Sequence, residues 1–216
     1  LRETETLTVV SINDNNNTLD VATDDMSYLG LAVNNFSAEL IGLEDLLEFG
    51  VSDVDLVINS ATDTDTDAAT APAKIDWSTF TATGMDLSAA TENLNGTSLG
   101  DLTGGPANDD SAIFKVGGTV ALNAFGSVVA KGSFRLDMGT VTEFGLDGVA
   151  GGADANADTT YQAMAVTLGS NAFAGATPVH VFIGVGGALE DNPEGVPTPQ
   201  NYSDDEINIE SGLGFY

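Results

Sequence analysis

Thr119–Val141 reads TVALNAFGSVVAKGSFRLDMGTV. From Val128 onward one set of alternate residues is Val128, Ala130, Gly132, Phe134, Leu136 and Met138. The other is Ser127, Val129, Lys131, Ser133, Arg135 and Asp137. A period of two belongs to a β-strand with one face on a core and one in water. The first set is therefore expected inward, and the second, with Lys131 and Arg135, outward. Val120, Leu122 and Ala124 carry the same period, and Phe125-Gly126-Ser127 can turn the chain between the two runs. This hairpin predicts an all-β domain.

The rest of the chain agrees with that class. Glu3–Ile12, Ser27–Val33, Phe36–Leu43, Val51–Ser60, Ile75–Thr83, Tyr161–Leu168, Pro178–Val185 and Ile207–Tyr216 each read as strands, and Leu19–Val21 as a short one. Pro178–Val185 (PVHVFIGV) is the most apolar run and is expected to be buried on both faces. Leu43–Phe49 (LEDLLEF) is the best helical turn. Thr62–Pro72, Gly145–Thr159 and Glu190–Glu206 are acidic or Gly- and Pro-rich loops, and Leu87–Asp110 is broken by Asn, Gly and Pro into turns. The expected fold is all-β, a β-sandwich or β-solenoid-like module with long acidic loops. One domain over 1–216 is expected, with a sub-boundary allowed near 100–111. Echoes such as AELIGL, AFGSVV and AFAGAT are too loose to define an internal repeat.

Charge bounds the partners. There are 33 Asp and Glu against 5 Lys and Arg, a net charge of −28. Such self-repulsion opposes a compact state unless salt or bound cations screen it. Nucleic acid and anionic membrane surfaces are poor partners, because both need clustered cations. With no cysteine, disulfides and thiolate metal sites are excluded. No apolar run approaches the roughly 18 residues of a helical span, so no membrane insertion is expected. A chain that opens on Leu1 without a basic, apolar, small-residue pattern is expected to be a processed product or an excerpt of a longer polypeptide.

The acidic loops are the candidate sites. Asp63, Asp65 and Asp67 have the alternate spacing of the first ligands of a calcium loop, and Asp154, Asn156 and Asp158 repeat it. Neither is an EF-hand: Ala68 and Lys74, or Thr159 and Ala165, stand where Gly and Glu belong. Asp14, Asp20 and Asp24 form a further cluster. Oxygen ligands on loops suit Ca2+, the one cofactor expected; the plainer alternative is a hydrated acidic surface. Catalytic signatures are missing. His180, the single histidine, sits inside PVHVFIGV, there is no GxSxG, and Gly184-Val185-Gly186-Gly187 reads as a turn rather than a nucleotide loop. Glycosylation sequons stand at Asn16, Asn35, Asn95 and Asn201.

HVFIGVGGALEDN (His180–Asn192), AELIGLEDLLEFGVSDVDLVINSATD (Ala38–Asp63) and GGTVALNAFGSVVAKGSFRL (Gly117–Leu136) resemble units of giant acidic, repeat-containing bacterial surface proteins of the adhesin-like kind. The likeness covers about half the chain and carries no catalytic motif. It implies an extracellular or cell-surface location, a β-rich fold, calcium dependence and a structural or adhesive role. Free strand edges at either end of the chain are expected to pair with neighbouring units, so the chain itself is the expected partner. No enzyme activity is expected. The alternative is a carbohydrate-binding β-sandwich of a secreted adhesin or enzyme, with Trp77, Phe80 and Tyr28 as a sugar platform and glycans as partners.

Overall fold

The computed structural model describes residues 5–14, 26–40, 43, 46–63, 74–77, 79–81, 83–95, 112–143, 159–190, 206–208 and 213–215. Its centre is the hairpin of β4 (Ala112–Ala124) and β5 (Val128–Glu143). Phe125 (φ 58°) and Gly126 (φ 62°) both take left-handed backbone, as a tight primed turn demands. Ser127 N donates to Ala124 O at 2.9 Å and Gly126 N to Asn123 Oδ1 at 3.0 Å, which holds a non-glycine residue in that conformation.

β1 (Thr6–Asp14), β2 (Met26–Glu39) and β3 (Leu47–Asp63) continue the sheet from β4 outward. On the other side of β5 lie β6 (Thr159–Leu168) and β7 (His180–Val185). The whole is one antiparallel eight-stranded sheet ordered β1-β2-β3-β4-β5-β7, closed by β10 (Leu213–Phe215), with β6 also on β5. β8 (Ala188–Glu190) and β9 (Glu206–Asn208) form a separate pair against β4 and β5. The all-β expectation therefore holds, with one short helix, α1 (Ser88–Asn95).

β6 and β7 share one line. Phe134 pairs with Leu168 and Lys131 with His180, so Gly169–Val179 stands opposite Gly132 and Ser133 alone. That excursion is tied down by Ser133: its Oγ accepts Thr177 N at 2.8 Å, and its carbonyl accepts Gly169 N at 2.8 Å.

The alternation read from the hairpin is present, but its polarity is reversed. Register places Val10, Ala32, Val57, Lys115, Thr119, Ala121, Val129 and Ser133 on one face, the inner one. These are the buried residues, Lys115 at 7% and Ser133 at 1% exposure. The opposite, outer face holds Val128, Met138, Met164 and Val166, all exposed. Alternation tells which residues share a face, not which face the remaining chain covers. Here Trp77, α1 and Phe182 all arrive on the side of the shorter and more polar residues.

Four local expectations are corrected. Ile75–Thr83 is not a strand: its described residues form an irregular segment that delivers Trp77 to the sheet. Leu43–Phe49 gives only a turn, with Leu46 N and Leu47 N on Leu43 O, before β3 begins at Leu47. The helix lies instead at Ser88–Asn95, where Ser88 N donates to Asp86 Oδ1 at 2.9 Å. β7 is not buried on both faces: Phe182 is covered, while Val181, Ile183 and Val185 are exposed. Residues 96–111, which hold the expected sub-boundary, lie outside the described residues; β3 and β4 on either side of them are neighbours in one sheet.

Candidate functional site

The packed centre sits over β1, β2 and β3. Trp77, 1% exposed, lies flat on Gly30, where an added Cβ would come within 2.7 Å of the indole. Its Nε1 donates to Asn59 Oδ1 at 3.0 Å, and Asn59 Nδ2 donates to Ile75 O at 3.0 Å, so the indole's polar edge is satisfied as burial requires. Phe80 packs against Trp77 with centroids 5.4 Å apart. Val10, Ala32, Val57 and Leu94 complete this cluster. Asn34 Nδ2 bridges Thr6 Oγ1 and Asn93 O, joining β1 and α1. An aromatic sugar platform needs an exposed ring, and Trp77 offers none.

Further along the inner face the chemistry is polar. Arg135 grips Asp137 two residues on, with Nε to Oδ2 at 2.8 Å and a terminal guanidinium nitrogen to Oδ1 at 2.8 Å. Lys115 stands opposite Asp137 in the β4–β5 register. Asp55 is 5% exposed and accepts Asn35 N through Oδ1 at 3.0 Å. Ser133 of β5 makes hydroxyl contacts with Thr119 of β4 and with Thr177 of the Gly169–Val179 excursion. Nothing in this set resembles a nucleophile and its base.

A shallow hollow of about 190 Å³ lies beside α1, lined by Phe80, Thr81, Asp86, Leu87, Ser88 and Thr91. It is smaller than the roughly 300–1,000 Å³ of typical ligand pockets. Asp86 at its rim caps the helix, and its hydrogen bonds to Ser88, side chain first and backbone second, hold its carboxyl below the ordinary value.

Of the expected calcium ligands, Asp14 and Asp63 are described. Both pair with Met26, Asp14 from β1 and Asp63 from β3, so the fold brings them to one end of the sheet on flanking strands. Asp20, Asp24, Asp65, Asp67, Asp154, Asn156 and Asp158 lie outside the described residues. Among the described residues no group of three or more His, Asp or Glu is placed to hold a metal ion. His180 opens β7 opposite Lys131, and Gly184–Gly187 is a strand end and turn, with Gly186 at φ 83°. Of the sequons, Asn35 is an exposed residue at φ 55° and Asn95 ends α1, while Asn16 and Asn201 lie outside the described residues.

The feature that sequence reading missed is the outer surface. β6 carries TTYQAMAVTL without a single charge, and Met164, Val166 and Leu168 are 66%, 59% and 64% exposed. β6 pairs with β5 and with no other described strand. Alternation in this run was legible, but which flank the neighbouring strand occupies was not. No helix among the described residues is long and apolar enough to cross a membrane.

No protein-family model matches the chain, and no curated protein or solved structure is significantly similar to it.

Proposed function

We propose that this chain is a non-enzymatic structural or adhesive unit of an extracellular or cell-surface assembly, and that it joins further copies of itself by strand pairing. The observation that carries the reading is the outer flank of β6, where Thr160–Leu168 has no partner among the described strands. Natural sheets guard such edges with Lys, Pro, bulges or a covering segment. This one has none of the first three and is long enough, at 10 residues, for a full strand-to-strand ladder. Edge-to-edge addition extends the sheet from unit to unit in a solenoid-like manner.

The net charge of −28 opposes that addition until cations screen it, so Ca2+ at the acidic loops, or high salt, is the switch in this reading. A sandwich, by contrast, requires a second sheet packed on the first, which the carbohydrate-binding alternative also needs. The burial of Trp77 favours the structural reading over that one.

The test is sedimentation velocity across a hundredfold range of protein concentration, in calcium and in chelator, on the natural chain and on Val166→Lys. Concentration-dependent growth in calcium, abolished by the β6 lysine without loss of melting temperature, supports the proposal. A species of constant mass in every condition overturns it.

A further inference from the structure

We propose that the outer face of the large sheet is a hydrocarbon-contacting surface, seated in the apolar layer of a lipid bilayer. This goes beyond edge pairing, which concerns the flanks of the strands rather than their faces.

The first observation is the reversed polarity. A sheet in water buries its apolar face and wets its polar one; this sheet buries polar and apolar residues together on its inner side and leaves its outer apolar residues exposed. Asn34, Ser52, Asp55, Asn59, Lys115, Thr119 and Ser133 are buried on the inner side. The outer positions of β1 to β7 and β10, set by their registers, include no Asp, Glu, Lys, Arg or His; Asp53, at φ 51°, sits in a bulge between them. An exposed apolar outer face over a partly polar inner one is the pattern of strands that face lipid, and because hydrocarbon tolerates no open edge, the outer flank of β6 must be paired there with a further strand.

The second observation is dimension. The uninterrupted apolar stretch on β4 runs from Phe114 to Ala124 and on β5 from Val128 to Met138. Each is about 11 residues, the length that spans a bilayer's hydrocarbon at a tilt near 45°. A protein partner imposes no such common length.

The third is the asymmetry of the two sheet ends. At one end β2 joins β3 through 40–46 and β4 joins β5 through 125–127. At the other, the connections are 15–25, 64–111 and 144–158, and these hold most of the nominated acidic residues. Short connections on one side and long, acid-rich ones on the other match a sheet with one end in each of two aqueous compartments. Among the described strands the charged residues other than Asp53 lie off the outer face, so they do not oppose contact with hydrocarbon. The expectation that the chain does not insert rested on helical length, which is silent about strands.

The experiment uses the full chain with uncharged phosphatidylcholine vesicles. The protein has no cysteine, so single cysteines can be placed freely: Val116→Cys, Val120→Cys and Leu136→Cys on the outer face, Asn123→Cys and Thr167→Cys on the inner. Each is labelled with a polarity-sensitive fluorophore. The proposal expects outer labels to shift blue and to be quenched by lipid-borne nitroxide, inner labels to do neither, and Val120→Arg to lower vesicle partition by at least about 30-fold. Should Val120→Arg fail to fold, the cysteine set decides alone. Protein that remains in the aqueous phase with its outer labels unquenched overturns the proposal. So does outer-label protection that needs no vesicles and rises with protein concentration, since a second copy then covers the face. Edge pairing and lipid contact thus fail separately: the first is read by mass in solution, the second by quenching from lipid.

Discussion

The two flanks of the sheet are built differently. Over β1, β2 and β3 the inner face is roofed by Trp77 and α1, which are tied to it by the indole's bond to Asn59 and by Asn34 on Asn93 O. Asn34 Oδ1 and Ser52 Oγ are buried without a partner among the described residues. Over β6, β7 and β10 the large apolar residues other than Phe182 are exposed, with Val185, Leu213 and Phe215 at 72%, 85% and 84% exposure. One flank is stabilised by its own chain. The other carries the most exposed part of an apolar outer face that also includes Leu7 and Val9 of β1. A protein whose stability is local at one flank and whose contacts are external at the other can be anchored and associative at once.

That contrast can be broken most sharply at Trp77. Replacing it with Ala removes the roof and leaves Asn59 Oδ1 buried without its donor, so a loss of about 3–5 kcal/mol is expected, read as the shift in a urea midpoint followed by circular dichroism. A loss within about 1 kcal/mol means that the roof is ornamental to stability and the two flanks are alike. Next in size is Ser133→Ala on the opposite side of the sheet. It strips Thr177 N of its acceptor and frees the Gly169–Val179 excursion, with an expected cost of about 1–2 kcal/mol and faster amide exchange at Thr177. If exchange there is unchanged, the excursion is held by something other than this hydroxyl.

The smallest effect is at Asp86. Its folded pKa is depressed by Ser88, so its contribution is complete above the unfolded value of 3.8 and disappears as pH falls through the lowered folded value. Asp86→Ala is expected to fray the start of α1, seen as quicker exchange at Ser88, while the urea midpoint of the whole sheet stays within error. A displaced midpoint means that α1 and the sheet melt as one unit, which sharpens the picture of a rigid capped flank.

The hairpin was readable because alternation is a local property: Val128–Met138 and Val120–Ala124 needed only the strand period and a turn at Phe125-Gly126. The polarity of that hairpin was not, since it depends on Trp77 folding back from residues far along the chain onto Gly30. Ile75–Thr83 has the composition of a strand, yet tertiary burial of one indole overrides that preference. α1 was hidden by the Asn and Gly that follow it, although Asp86-Leu87-Ser88 holds a capping carboxylate that marks a helix start. The nominated calcium ligands were placed by spacing alone, and the fold adds only that Asp14 and Asp63 share a sheet end.

The common line of β6 and β7 along β5 has a practical corollary. Registers on both sides of Gly169–Val179 are set independently, by Leu168 on Phe134 and by His180 on Lys131. The segment is therefore a natural splice point: a tag or foreign epitope inserted near Gly175, which has open space around it, lengthens a detour without shifting any ladder.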